Sequence, residues 1–139
     1  RNIPVLREKV GGRAVIRAIH FFEEEKRVEE AVAALKSSNY NGFMQVIKAS
    51  GNSSSKYLQN IYSPKDIYSQ NVTLALAVTE SRIGDAGVCR VHGGGFAGTI
   101  QVFIQDEAVT EYKKCIESIF GEDSCHVLKV RNDGGIKVI

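Results

Sequence analysis

The sequence predicts an α+β fold with an antiparallel sheet, and three observations support that class. Apolar residues recur at helical spacing in several stretches, of which residues 17–36 are a long example. Residues 88–93 and 100–105 instead alternate apolar with other side chains on either side of a glycine-rich segment, which is typical of a β-hairpin. A chain of 139 residues with 43% hydrophobic and 24% charged residues has the size and composition of one globular domain, so residues 1–139 are expected to form a single domain.

The N-terminal part is predicted to be a loop followed by a long helix. Residues 1–14 contain a proline and two adjacent glycines and show no sustained period, so we expect a loop there. An apolar stripe predicts a helix over residues 17–36. The charge run at 23–27 would then form its solvated outer face.

A second helix is predicted over residues 40–48, with Asn39 available as its N-cap. Residues 49–55 are small and polar, and two interpretations stay open. They form either a loop or a helical segment whose small side chains face a polar site.

A third helix is predicted to begin at Pro64, with Ser63 as N-cap, and to end at Gly84. A fourth is predicted over residues 106–120, followed by a glycine at the C-terminal cap. Alternation at 125–130 predicts a strand, and after a turn residues 136–139 form a short final strand or tail. This order predicts a ferredoxin-like sandwich: an antiparallel sheet with helices on one face and extra N-terminal helices.

The hairpin loop at residues 93–98 contains four glycines, more than a turn requires. Glycine permits positive φ and a close approach of ligand to backbone, and successive N–H groups can form a concavity for phosphate oxygens. An ordinary glycine-rich hairpin tip is the alternative. The segment is neither a GxxxxGK[ST] loop nor a dinucleotide fingerprint, since no helix follows it.

Composition excludes several classes of function. A net charge of +2 without an interleaved basic and aromatic patch gives no reason to expect a nucleic-acid partner, and no apolar run approaches a membrane span. The cysteines are Cys89, Cys115 and Cys125, an odd number without a C-x-x-C pair, so we expect neither disulfides nor a zinc site and favour a cytoplasmic location. The chain begins without methionine, which we interpret as a piece of a longer polypeptide.

Three motifs together resemble the C-terminal half of galactokinases, within the GHMP family of small-molecule kinases. The first is similar to the galactokinase helix pattern R-A-x-H, then E, then R-V. The second, residues 46–50, stands where galactokinases have a helix ending M-N-E-S-H. The third resembles G-A-R-M-T-G-[AG]-G-F-G-G-[CT]. The residues of the first and third motifs are Arg17, Ala18, His20, Glu24, Arg27, Val28, Gly87, Arg90, Gly94, Gly95, Phe96, Gly98 and Thr99.

The resemblance implies a nucleotide or phosphate loop, with Ser50 and Arg90 as possible cleft-facing residues. The implied loop residues are His92, Gly93, Gly94, Gly95, Phe96, Ala97 and Gly98. His92 replaces a threonine or serine of the family and either contacts an anion or is a structural hydrogen-bonding residue at a strand end. Ala97 replaces glycine, and Gly51 replaces histidine. Ser50 matches the family serine, with a helix-terminating role as its alternative.

Galactokinases transfer the γ-phosphoryl group of ATP to the C1 hydroxyl of galactose with Mg²⁺, so the resemblance implies such an activity for a full-length protein. The family's sugar signature, phosphate loop and catalytic residues belong to its N-terminal half and have no counterpart here. We therefore expect the chain alone to be inactive, to hold no tightly bound cofactor or metal, and to have that N-terminal half as its partner, across an exposed apolar face. Alternatives are a non-catalytic sugar-responsive or interaction module and another GHMP-family kinase.

Overall fold

The computed structural model describes residues 2–96 and 98–130. Helices and a single hairpin follow one another along the chain. In order they are α1 (Ile3–Lys36), α2 (Tyr40–Ser53), a π-helical turn (Ser54–Leu58), α3 (Asn71–Ile83), a 3₁₀ turn (Gly84–Ala86), β1 (Gly87–His92), β2 (Thr99–Ile104) and α4 (Asp106–Phe120). The α+β class with an antiparallel sheet is confirmed, and α1 and α2 are its additional N-terminal helices.

The predicted loop over residues 1–14 was wrong, because α1 begins at Ile3. Pro4 occupies the first turn, where its missing N–H has no intrahelical acceptor to lose. The backbone departs from helical geometry at Gly11, with φ 79° and ψ 160°, so α1 is kinked there. Most side chains before Gly11 are exposed, which explains why the sequence shows no apolar period in this segment.

Helix α2 extends further than predicted. The side chain of Asn39 accepts a hydrogen bond from the N–H of Gly42 at 2.9 Å, which confirms Asn39 as N-cap. The polar residues 49–55 continue the helix and then widen into the π-helical turn. Ser50, Ser53 and Ser54 are buried, so the helical alternative for this segment is the correct one.

Helix α3 begins at Asn71, and the predicted start at Pro64 was wrong. Ser63 Oγ does accept a hydrogen bond from the N–H of Lys65 at 3.3 Å, as a cap would. One turn later, Asp66 Oδ1 accepts from the N–H groups of Tyr68 and Ser69 at 3.0 and 3.1 Å. Because the Asp66 side chain satisfies these N–H groups locally, the backbone does not need helical hydrogen bonds there.

The two strands pair antiparallel from Gly87 opposite Ile104 to His92 opposite Thr99, which confirms the predicted hairpin. Because side chains alternate between faces, Val102 and Ile104 share one face and Phe103 lies on the other. Helices α3 and α4 pack on the first face. On the opposite face, Phe43 of α2 meets Phe103 edge to face, with ring centroids 5.2 Å apart.

The main core lies between the hairpin and the two later helices. Ile83, Tyr112 and Ile116 form its buried centre. Tyr112 is also held by a 2.8 Å hydrogen bond between its hydroxyl and that of Thr79. Asp106 and Glu107 occupy the first turn of α4, and Gly121 caps its C-terminus, as predicted.

The strand predicted at residues 125–130 is absent, because the structure assigns no regular secondary structure to them. Cys125 packs against the core, whereas Val127, Leu128 and Val130 are exposed. A strand is stabilised by cross-strand pairs, and no described strand pairs with this segment. The predicted turn and final strand at 133–139 lie outside the described residues.

Candidate functional site

A half-buried carboxylate joins three elements of the fold. Glu24 of α1 pairs with Arg27 one turn later at 2.8 Å and with Arg90 of β1 at 3.1 Å. Ser50 of α2 donates its hydroxyl to Glu24 Oε1, the same oxygen that Arg90 contacts. We call these four residues, Glu24, Arg27, Ser50 and Arg90, the Glu24 cluster. The run at residues 23–27 is therefore not wholly a solvated face, since two of its charges point into the fold.

Arg90 makes three hydrogen bonds through two of its guanidinium nitrogens. Its Nη1 donates to Glu24 and to the hydroxyl of Ser50, and its Nε donates to the carbonyl of Val91 at 3.1 Å. Burial opposes ionisation of Glu24, but hydrogen bonds from Ser50 and Arg27 and the charge of Arg90 lower its pKa. The carboxylate is thus ionised at neutral pH and holds both arginines.

A second polar contact lies next to the Glu24 cluster. His20 is buried, and its Nδ1 is 2.9 Å from Ser53 Oγ. Burial lowers the pKa of His20, Glu24 partly offsets this effect, and the charges of Arg27 and Arg90 reinforce it. The imidazole is therefore neutral at pH 7.

The glycine loop is fixed on one side by residues distant in sequence. Asn60, immediately after the π-helical turn, accepts a hydrogen bond from the N–H of Phe96 through its backbone carbonyl. Its side-chain amide donates to the carbonyl of Gly94 at 3.3 Å. Arg17 lies over the Phe96 ring at 5.9 Å from the centroid and donates Nε to the carbonyl of Leu58 at 3.3 Å.

The glycines of the loop consequently differ in role. Gly95 has φ +74°, and a Cβ there would overlap the carbonyl and side-chain amide of Asn60. Gly93, Gly94 and Gly98 lie on the open side, where a Cβ would meet no described atom within 4 Å. Close packing requires glycine at position 95, whereas the open side has room for a ligand.

The structure brings together only some of the predicted site residues. Ser50 and Arg90 meet in the Glu24 cluster, and Ser50 is buried, with its hydroxyl bound to other residues of the chain. His92 is exposed at the end of β1, opposite Thr99. Ala97 lies outside the described residues. A cleft-facing role for Ser50 and Arg90 and a phosphate-binding role for the loop stay predictions.

Sequence reasoning missed Asn60 altogether. An asparagine between Gln59 and Ile61 carries no periodic or motif signal, and its importance depends on contacts 34 residues away. Arg17 and Glu24 were recognised only as parts of a motif, without a role. The ion pair between Glu24 and Arg27 was indicated in the sequence by their i,i+3 spacing.

The departure from the family pattern at Gly51 has a packing reason. A Cβ at this position would lie 3.2 Å from both Arg90 Cβ and the Cys89 carbonyl oxygen, so α2 and β1 approach closely here.

Burial and the charge of Glu80 raise the pKa of Cys89 to about 11, which keeps the thiol protonated and inert.

Two further properties concern the described residues alone. They contain no group of three or more His, Cys, Asp or Glu side chains placed to hold a metal ion. Over the same residues, none of the helices is both sufficiently long and sufficiently apolar for a membrane span.

Comparison with known proteins finds a partial similarity to a kinase. No protein-family model matches the chain. The chain is 30% identical over 100 residues to a galactokinase of Actinobacillus pleuropneumoniae. It is galactokinase-like over this region. The matched region is 72% of this chain and 24% of the galactokinase, so the chain matches about a quarter of that relative's length.

The two sides of the loop should respond differently to a methyl group. We predict that Gly95→Ala lowers the free energy of unfolding by about 1–3 kcal/mol, because the new Cβ combines positive φ with overlap at Asn60. Gly94→Ala, the matched control on the open side, should change it by less than about 0.5 kcal/mol. Urea denaturation followed by circular dichroism measures both, and equal losses would contradict the assignment of sides.

Stability should depend on pH through His20. The pKa of His20 in the folded protein lies below the ordinary 6.5, so the unfolded chain binds the proton more readily. His20 therefore contributes stability above pH 6.5, and this stability is lost as pH falls from 6.5 towards the folded pKa. We predict a weaker pH dependence for His20→Gln than for the unmodified protein between about pH 7.5 and about pH 5.5.

Urea denaturation at several pH values measures this dependence. The window avoids most of the titration of Glu24, whose ordinary pKa is 4.5 and whose folded pKa is lower. Asn52→Gln, a change without a titratable group at an exposed position, is the control and should leave the slope unchanged. A slope in His20→Gln equal to that of the unmodified protein would contradict the prediction.

Proposed function

We propose that this chain is the C-terminal domain of a galactokinase, and that the whole protein transfers the γ-phosphoryl group of ATP to the C1 hydroxyl of galactose. In this proposal the glycine loop forms one wall of the ATP and sugar cleft. The N-terminal half of the same protein supplies the catalytic residues, so the chain alone is inactive. The similarity to a galactokinase supports the family assignment, and its limited coverage makes the domain role our inference.

One observation carries the proposal: residues of all three motifs meet in one bonded arrangement. Glu24 comes from the first motif, Ser50 from the second and Arg90 from the third, and all three are joined through a single carboxylate oxygen. Arg17 of the first motif also contacts Phe96 of the third. Motifs that share a structural unit support a common origin better than three independent sequence matches would.

The exposed apolar side of α1 supports a partner for this domain. Large apolar side chains are exposed along this helix, and Phe21 and Phe22 meet edge to face with ring centroids 5.6 Å apart. Phe21, Val28, Val32 and Leu35 recur at helical spacing on one side of α1, and exposed apolar surface is typical of protein interfaces. We infer that the N-terminal half covers it. The exposed large apolar residues of the helix are Ile3, Val5, Leu6, Val10, Ile19, Phe21, Phe22, Val28, Val32 and Leu35.

The open side of the loop suits a phosphate group. Gly93, Gly94 and Gly98 present backbone without side-chain obstruction, which suits close approach by phosphate oxygens. In this proposal the complete protein uses Mg²⁺ with ATP, and this chain takes part in holding and orienting the ATP phosphates.

Activity should require the complete polypeptide. We predict that the purified chain, once circular dichroism shows that it is folded, releases no ADP from ATP with galactose, whereas the complete polypeptide does so at ordinary kinase rates of about 1–100 s⁻¹. A coupled ADP assay with galactose, glucose and homoserine as acceptors tests the sugar class. Turnover by the chain alone would contradict the proposal. Galactose binding without turnover by the complete protein would also contradict it, and would indicate a sugar-responsive module.

A bulky side chain on the open side should remove activity while the fold is kept. We predict that Gly94→Val lowers kcat/KM of the complete polypeptide at least about tenfold, because its side chain occupies the space proposed for ATP phosphates. Gly12→Val is the control, since a Cβ at Gly12 likewise meets no described atom within 4 Å. Steady-state kinetics with varied ATP measures the effect, and unchanged constants in Gly94→Val would remove the loop from the site.

A further inference from the structure

One residue outside the glycine loop bonds to the loop backbone at two points. Asn60 bonds to the N–H of Phe96 and to the carbonyl of Gly94, on either side of Gly95. These two backbone groups are thereby turned towards the protein and are not available to a ligand. The groups left for a ligand are those of the open side, next to Gly93, Gly94 and Gly98.

The loop conformation that Asn60 maintains is costly for the chain itself. Phe96 has φ +64°, a left-handed conformation that is unfavourable for a residue with a side chain. Its backbone bond to Asn60 and the Arg17 guanidinium over its ring offset this cost. Strained backbone of this kind persists where the surrounding structure over-determines it, which is common at ligand sites.

Asn60 is itself held rigidly, so it can act as a fixed support. It is 1% exposed and follows Gln59, whose left-handed backbone returns its N–H to the carbonyl of Ser54 at 2.7 Å and closes the π-helical turn. On the other side, Thr73 of α3 donates its hydroxyl to the carbonyl of Ile61 at 2.8 Å. The peptide segment that carries Asn60 is therefore anchored to both the π-helical turn and α3.

We propose that Asn60 is a positioning residue that presets the glycine loop to receive the phosphates of a nucleoside triphosphate. It acts through the loop and does not touch the ligand. The inference rests on the proposed function, because it assigns the open side of the loop to ATP. A loop already held in its binding conformation loses less conformational entropy when the ligand binds, which raises affinity.

The test compares Asn60→Ala with two control variants in the complete polypeptide. Asn60→Ala keeps the backbone carbonyl that accepts from Phe96 and removes the amide donor to Gly94. Asn52→Ala makes the same change at an exposed position of α2. Tyr112→Phe removes the buried hydrogen bond between Tyr112 and Thr79, which lies in the core on the other face of the hairpin. Like Asn60→Ala, it should lower the stability of the fold through the loss of one buried hydrogen bond.

Two measurements are made on each variant. Isothermal titration with ATP gives the dissociation constant, and ¹H–¹⁵N spectra report the amides of Gly93, Gly94, Gly95 and Phe96. We expect Asn60→Ala to weaken ATP binding about five- to tenfold, the effect of one lost hydrogen bond, and to shift or broaden the loop amides. Both controls should bind ATP within about twofold of the unmodified protein and keep the loop signals, even where Tyr112→Phe lowers the melting temperature.

The outcomes separate this inference from the proposed function. If the unmodified protein binds ATP and Asn60→Ala binds it equally well, the positioning role is overturned and the function stands. If Tyr112→Phe weakens ATP binding as much as Asn60→Ala does, the effect is one of general stability and the positioning role is likewise overturned. If the unmodified protein does not bind ATP at all, the proposed function fails and the inference fails with it.

Discussion

The Glu24 carboxylate is the constraint on which the arrangement of the described residues depends. It lies on α1 and receives hydrogen bonds from α2, through Ser50, and from β1, through Arg90. Arg27 and Arg90 carry like charges, which only the carboxylate between them makes compatible. Because α1, α2 and β1 all contribute to the Glu24 cluster, their relative placement is constrained by the requirement that no half-buried charge is left unpaired.

This constraint extends to the glycine loop through neighbouring contacts. Arg90 belongs to the strand that enters the loop, and Arg17, two turns before Glu24 on the same helix, reaches the loop at Phe96. The loop is therefore supported from α1 and from the segment after α2, while its other side stays open. A site with one rigid side and one open side suits a ligand that is enclosed by a second domain, which agrees with the proposed place of this chain in a kinase.

Locally determined parts of the fold could be predicted from the sequence. The hairpin from Gly87 to Ile104 follows from alternation around a glycine cluster, and α4 follows from its apolar spacing and its terminal glycine. The errors have different causes, one local and one tertiary. The start of α3 was decided by the acceptor Asp66, and the segment after Ser124 lacks a described pairing partner, although its alternation is typical of a strand.

The candidate site likewise has features that the sequence predicts and features that depend on tertiary contacts. By itself, the sequence determined the α+β class and the glycine loop, because composition and period are properties of the chain. Its resemblance to a known family indicated the motifs that contain Glu24, Ser50 and Arg90. Only the tertiary structure decided that these residues share one carboxylate, that Asn60 supports the loop and that Gly95 is the packed glycine while Gly94 is open. Hydrogen bonds and close packing between residues tens of positions apart depend on how elements approach one another, and no local pattern records that approach.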